Sequence, residues 1–103
     1  MTGYRLLPLA AARLDEIYQY TRDSWGDDQA ESYVRSLFDK FTAIARRDIL
    51  WRPIPAEFDV NGWFCRHEHH FIYWREFDDG WIGIATVMHE RMHRVMRLKD
   101  EFR

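Results

Sequence analysis

Apolar residues recur along this chain with two periods, helical up to about residue 45 and extended from about residue 63. Ala10, Leu14, Ile17 and Thr21 repeat at the three- and four-residue spacing of one helical face, while Arg13, Asp15, Glu16 and Gln19 point elsewhere. This predicts an amphipathic helix that starts close behind Pro8 and stops near Trp25-Gly26, because glycine readily takes the left-handed conformation that closes a helix. A second stripe, Ala30, Tyr33, Val34, Leu37, Phe41, Ile44 and Ala45, predicts a longer helix behind it. Asp27 or Asp28 is the expected N-cap, and Asp28 with Glu31 has the form of a capping box. Two long helices joined by so short a link must fold back as an antiparallel hairpin. One face can pack on a sheet, and the opposite groove is left for solvent or a partner.

The remaining pattern is extended. Tyr4 to Leu7 is a strand candidate that Pro8 ends, and Trp63 to His67, His70 to Phe77 and Trp81 to Met88 are three more. Both faces of the last two carry apolar groups, as expected of central, covered strands. Asp79-Gly80 between them is a hairpin signal in which both turn residues tolerate positive φ. Pro53 and Pro55 make 48–61 a connecting loop. Met92, Val95, Met96 and Lys99 predict a short closing helix whose last residues, Asp100 to Arg103, fray. The expected fold is α+β: an N-terminal strand, an antiparallel helix pair on a small antiparallel sheet, and a short C-terminal helix.

A chain of 103 residues with 47% hydrophobic and 17% aromatic content has material for one core, so residues 1–103 are read as a single domain. The formal net charge of −2 counts against a protein that holds nucleic acid through phosphate contacts, and no direct nucleic-acid partner is expected. Arg66, Arg75, Arg91, Arg94 and Arg97 form the one positive concentration, interrupted by Glu68, Glu76, Glu90 and Asp100. It fits either an acidic partner segment or a solvated face. The single cysteine, Cys65, has no partner and reads as a buried strand residue in a reducing compartment. No charged start leads into an apolar run and no segment approaches a membrane span, so the cytoplasm and no membrane association are expected.

All five histidines lie between residues 67 and 93, His67 at their head and His69, His70, His89 and His93 behind it, which makes this region the chemical focus. His89-Glu90-Arg91-Met92-His93 matches H-E-x-x-H, which in zinc hydrolases places two histidine ligands one helical turn apart and a glutamate beside the bound water. That geometry needs a helix throughout. Here the motif follows the strand-like run from Ile82 to Met88, so the competing reading is a junction between strand and helix. His67-Glu68-His69-His70 invites a metal reading too, but Glu68 and His69 fit a solvated turn or bulge. No metal and no cofactor are expected.

Ala10, Leu14, Ile17, Tyr20, Trp25-Gly26, Ala30 and Tyr33 resemble the first helix, Trp-Gly hinge and second-helix start of the RelE/ParE superfamily of type II toxins, in its ParE branch. The strand His70-Phe71-Ile72-Tyr73-Trp74-Arg75 is similar to the family's H-x-I-F-Y-R strand, and Val87-Met88-His89-Glu90-Arg91-Met92 to its I-L-H-x-R-M ending. The resemblance covers nearly the whole chain and makes Trp25, Gly26, His70, Tyr73, Arg75, His89, Arg91 and Met92 family-motif positions. It implies a toxin held inactive by a ParD-like antitoxin in a hetero-oligomer. The implied target is DNA gyrase, reached by binding and without a catalytic residue.

The groove of the helix pair and the strand face, with Tyr18, Arg22, Trp25, Tyr33 and Arg75, is the expected antitoxin contact. The chain departs from the family's usual residues at Arg13, Trp74, Thr86 and His93. Thr86 stands where the family often carries Arg, which makes RelE-type messenger RNA cleavage the second reading. A zinc hydrolase using HERMH and a structural partner that has lost toxicity complete the alternatives.

Overall fold

Gly26 joins two helices by itself. Helix α1 runs Pro8–Trp25 and α2 runs Asp27–Ala45, so one residue closes the first and opens the second. Its N–H donates to Arg22 O at 2.8 Å, and its carbonyl accepts from the Ala30 N–H at 3.1 Å. A φ of 97° makes the reversal possible, a conformation that an L-residue with a Cβ rarely adopts. The computed structural model describes residues 3–92 and 94–102, and of residues 94–97 the backbone alone. Pro8 occupies the start of α1, where its missing N–H costs nothing.

The predicted capping box does not form. Gly26 takes the N-cap position, no side chain caps α2, and Asp27 and Asp28 fall inside its first turn. With only one residue between the helices there is no room for an aspartate outside α2. The two acids instead favour the helix start through its dipole.

Five strands form one sheet, β1 (Tyr4–Leu6), β2 (Arg52–Pro53), β3 (Trp63–His67), β4 (His70–Glu76) and β5 (Ile82–His89), in the order β1-β5-β4-β3-β2. Strand β1 lies parallel to β5 and every other pairing is antiparallel. The sheet is therefore mixed. Predicting 48–61 as a loop missed β2 and a 3-10 turn at Ala56–Phe58. Pro53 is tolerated because β2 is an outer strand. Ile54 and Phe58 anchor the segment by burying their side chains.

The Asp79-Gly80 hairpin forms, with a longer loop than expected. Phe77 N–H donates to Trp81 O at 2.8 Å and Gly80 N–H to Phe77 O at 3.0 Å. Of the two turn residues only Gly80 has positive φ, 86°. This is the three-residue connection that ends in a left-handed glycine.

Both sheet faces are covered, and a bulge explains the blurred alternation of β5. Tyr73 pairs with Thr86 while Trp74 pairs with Ile84, which leaves Ala85 as an extra residue. Ile82 and Ile84 before it, and Val87 after it, join the core under α1 and α2 with Ala10, Leu14, Leu37 and Phe41. Ala85 and Met88 face the other core with Tyr73, Leu98 and Phe102. Each fully buried Leu, Ile or Phe adds about 1.5–3 kcal/mol, so two such cores account for a stable domain of this size.

Helix α3 (Arg94–Glu101) covers the second face. It begins two residues later than predicted, after a turn at 90–92. The side chains of Val95 and Met96, and His93 altogether, lie outside the described residues. The predicted fraying of 100–103 is not what residues 101 and 102 show: Glu101 is buried and Phe102 is 4% exposed. Their anchors are long-range contacts, which local composition does not reveal.

Candidate functional site

Tyr18, Arg22 and Trp25 sit at spacings of four and three on the last turns of α1, which gives them one stripe. Trp25 is 74% exposed and the nearby Tyr20 70%, an unusual amount of aromatic surface in open solvent. Arg22 bonds Gln19 at 2.7 Å and stays exposed at the hinge beside Gly26. Tyr18, Arg22 and Trp25 form an aromatic and cationic stripe leading to the turn of the helix pair, and Tyr20, two residues from Tyr18, lies off that stripe.

Tyr33 and Arg75 are placed elsewhere. The Tyr33 hydroxyl turns inward and lies 2.6 Å from His70 Nδ1. Arg75 projects from β4 on the side of α3, with its guanidinium 4.7 Å from the centre of the Phe102 ring and a hydrogen bond to Phe102 O. Of the five positions, the structure brings three together on α1 and separates the other two.

His67, His69, His70 and His89 gather at one end of the sheet. His67 and His70 are paired across β3 and β4, and His70 is paired with His89 across β4 and β5. The His70 and His89 rings meet edge to face at 5.2 Å, and His69 stacks on His89 at 6.4 Å. Ser36 Oγ lies 2.9 Å from His67 Nε2, so α2 touches the cluster twice. Burial, reinforced by the neighbouring histidines His89, His69 and His67, pushes His70 down to about 4. It is neutral at ordinary pH. Burial likewise pushes Tyr33 up to about 12 and lowers His67.

Residues 89–92 of the H-E-x-x-H segment do not form a helix, and His93 lies outside the described residues. His89 ends β5, and its Nδ1 accepts the Arg91 N–H at 3.1 Å in the turn that follows. Glu90 binds Arg66 and lies 3.3 Å from His69 Nδ1, and these two partners hold its carboxyl below the usual range. Met92 packs on the second core and Arg91 is exposed. Among the described residues no group of three His, Cys, Asp or Glu is placed to hold a metal ion. Cys65 is buried and its thiol is pushed up to about 11, which removes it as a nucleophile. Tyr73 is a core residue stacked on Phe64 at 6.0 Å.

One constellation escaped the sequence reading. Arg13 Nη2 and Glu101 Oε2 stand 2.5 Å apart, and the Thr86 hydroxyl donates to Glu101 Oε1 at 2.8 Å. Arg13 and Thr86 are two of the four positions that departed from the family pattern, and one buried carboxylate joins them. The available signal was Thr86, a polar residue amid the apolar run of β5.

This architecture is shared with a toxin–antitoxin protein. A chain in the solved structure described as a chromosomal ParDE TA system from P. aeruginosa superposes with a TM-score of 0.70 over 86% of this chain and 96% of its own, at 19% identity. The model of the family described as "ParE toxin of type II toxin-antitoxin system, parDE" matches residues 4–94. Toxin ParE1 of Mycobacterium tuberculosis is 35% identical over 95 residues, covering 86% of this chain and 90% of that protein. Toxin ParE of Escherichia coli is 28% identical over 103 residues, covering 100% and 99%. The chain belongs to the ParE toxin family, within the RelE/ParE superfamily. Among the described residues no helix is long and apolar enough to cross a membrane.

Proposed function

We propose that this toxin acts by binding DNA gyrase and is kept inactive by a ParD-like antitoxin that covers the helix pair. Family membership over residues 4–94 is the observation that carries the reading. The exposed Tyr20 and Trp25 support it, since aromatic surface of this kind is what an amphipathic partner segment or a target protein would bury. The inward placement of Thr86, buried against Glu101, is consistent with a binding protein rather than a ribonuclease that presents charge from that strand. Tyr18, Arg22 and Trp25 form the proposed contact on α1, and Tyr33 and Arg75 stand outside it.

The decisive experiment is a gyrase supercoiling and DNA-breakage assay with antitoxin-free protein. Inhibited supercoiling and gyrase-dependent breaks are expected. Unchanged gyrase together with transcript cuts inside codons, mapped by primer extension after induction, would replace this reading with the ribonuclease one.

A further inference from the structure

Among the described residues, five rings carry one of the chain's own arginines. Arg47 lies 3.8 Å from the centre of the Trp51 ring, Arg5 4.9 Å from Trp81 and 5.3 Å from Phe77, Arg75 4.7 Å from Phe102, and Arg66 5.6 Å from Phe71. Phe58 and Phe64 have no such cation among the described residues. With Tyr73, Pro55 and Glu57 they line a cavity of about 140 Å³ on the α3 side of the sheet. Glu57 is its charged wall, and among the described residues no cationic side chain lines it.

The walls are fixed by the fold. Phe64 pairs with Tyr73 across β3 and β4, and their rings lie 6.0 Å apart with planes 25° from parallel. Phe58 is buried in the second core, and the turn that carries Glu57 is closed by Phe58 N–H to Pro55 O and Asp59 N–H to Ala56 O, both at 3.0 Å. Asp59 is taken by Lys99 of α3 at 3.4 Å, whereas Glu57 is exposed and has no ion-pair partner among the described residues.

The negative faces of aromatic rings beside a carboxylate select a cation. An anion would be repelled, and an apolar group would fill the space while stripping water from Glu57 with nothing in return. A guanidinium meets both walls, since it stacks on a ring and donates paired N–H groups to a carboxylate. Size decides its source. Sites for whole small molecules span roughly 300–1,000 Å³, so this cavity has room for one head group. A single cation–ring contact is worth about two- to thirtyfold in affinity, which suits one anchor within a larger protein interface better than capture of a free cation.

We propose that this cavity receives an arginine side chain of a partner protein, with the guanidinium against the Phe58, Phe64 and Tyr73 rings and paired with Glu57. The cavity lies on the sheet face opposite the helix pair, so it is independent of the α1 contact assigned above to the antitoxin.

The test is a titration of isotope-labelled, antitoxin-free protein with N-acetyl-arginine amide, followed in amide NMR spectra, with N-acetyl-citrulline amide as the uncharged isostere. Saturable shifts at Glu57, Phe58 and Phe64 with a Kd of about 1–10 mM are expected for arginine, and none for citrulline. Glu57→Gln, at an exposed position, should weaken arginine binding about fivefold or more. Phe64→Leu, whose thermal melt by circular dichroism reports its fold, should weaken it in the same direction. No saturable shift with arginine, equal binding of citrulline, or unchanged affinity in Glu57→Gln overturns the site. Micromolar binding of the free amide makes it a small-molecule site and overturns the role as an anchor. A dimer in sedimentation velocity that Glu57→Gln abolishes gives the cavity to a second copy of this chain and overturns the partner.

Discussion

Arg13 and Glu101, 88 positions apart in the chain, form an ion pair at 2.5 Å between α1 and α3. The two helices cover opposite faces of the sheet, so this contact ties both layers together past β5. The carboxylate is 7% exposed and the guanidinium 17%. Glu101 and then Glu16 hold the Arg13 guanidinium in its charged form, well above its ordinary range.

Breaking this pair exposes what burial makes costly. Glu101→Gln should destabilise the domain by about 3 kcal/mol, because the arginine and the Thr86 hydroxyl lose a charged acceptor in a low-dielectric setting. Thr86→Val should cost about 1 kcal/mol, the ordinary worth of one hydrogen bond. Urea denaturation midpoints of the two variants check both, and equal midpoints for Glu101→Gln and wild type would show that the pair contributes nothing.

Acid should weaken the histidine end. A free histidine titrates near 6.5 and His70 near 4, so below about pH 6.5 the unfolded chain binds a proton that the native state refuses. Stability is therefore complete above about pH 6.5 and falls as pH drops toward 4. The loss is of the order of 1–2 kcal/mol once solvent access to the half-buried ring is allowed for. His70→Gln should flatten the profile between those values, measured as the urea midpoint at each pH. His67, also lowered by burial, adds a smaller loss in the same direction.

Gly26→Ala tests the hinge. A Cβ there would meet no atom within 4 Å, so any penalty comes from the backbone at φ 97° rather than from crowding. The expected cost is about 1–2 kcal/mol, seen as a fall in Tm of several degrees. An unchanged Tm would mean that the hinge tolerates another conformation.

Trp25→Ala separates folding from binding. At 74% exposure the side chain should contribute within about 0.5 kcal/mol to stability, yet its loss should weaken antitoxin binding about tenfold or more. Calorimetric titration beside a thermal melt reads both quantities. Unaltered affinity would move the proposed contact away from the α1 stripe.

Much of the fold was legible because each layer has its own period. The stripes of α1 and α2 predicted the buried Ala10, Leu14, Leu37 and Phe41, and the Asp79-Gly80 pair predicted the β4–β5 hairpin. Strand β2 was hidden by its proline, since local rules treat Pro53 as a breaker while an outer edge accepts it. Of the expected contact residues, the spacing of Tyr18, Arg22 and Trp25 placed them on one helical face. Nothing in the spacing of Tyr33 or Arg75 told which side of the sheet each would meet.

Periodicity and turn chemistry are local, and they determined the three helices, the strands β1, β3, β4 and β5, their order in the chain and the strand context of His89. Only the tertiary structure decided that His67, His70 and His89 share one end of the sheet with Tyr33 and Ser36, and that Arg13 closes on Glu101. Such contacts depend on strand register and on the bulge at Ala85, which changes the face of the residues beyond it. A one-residue shift is invisible to composition and spacing, yet it settles which side chains meet.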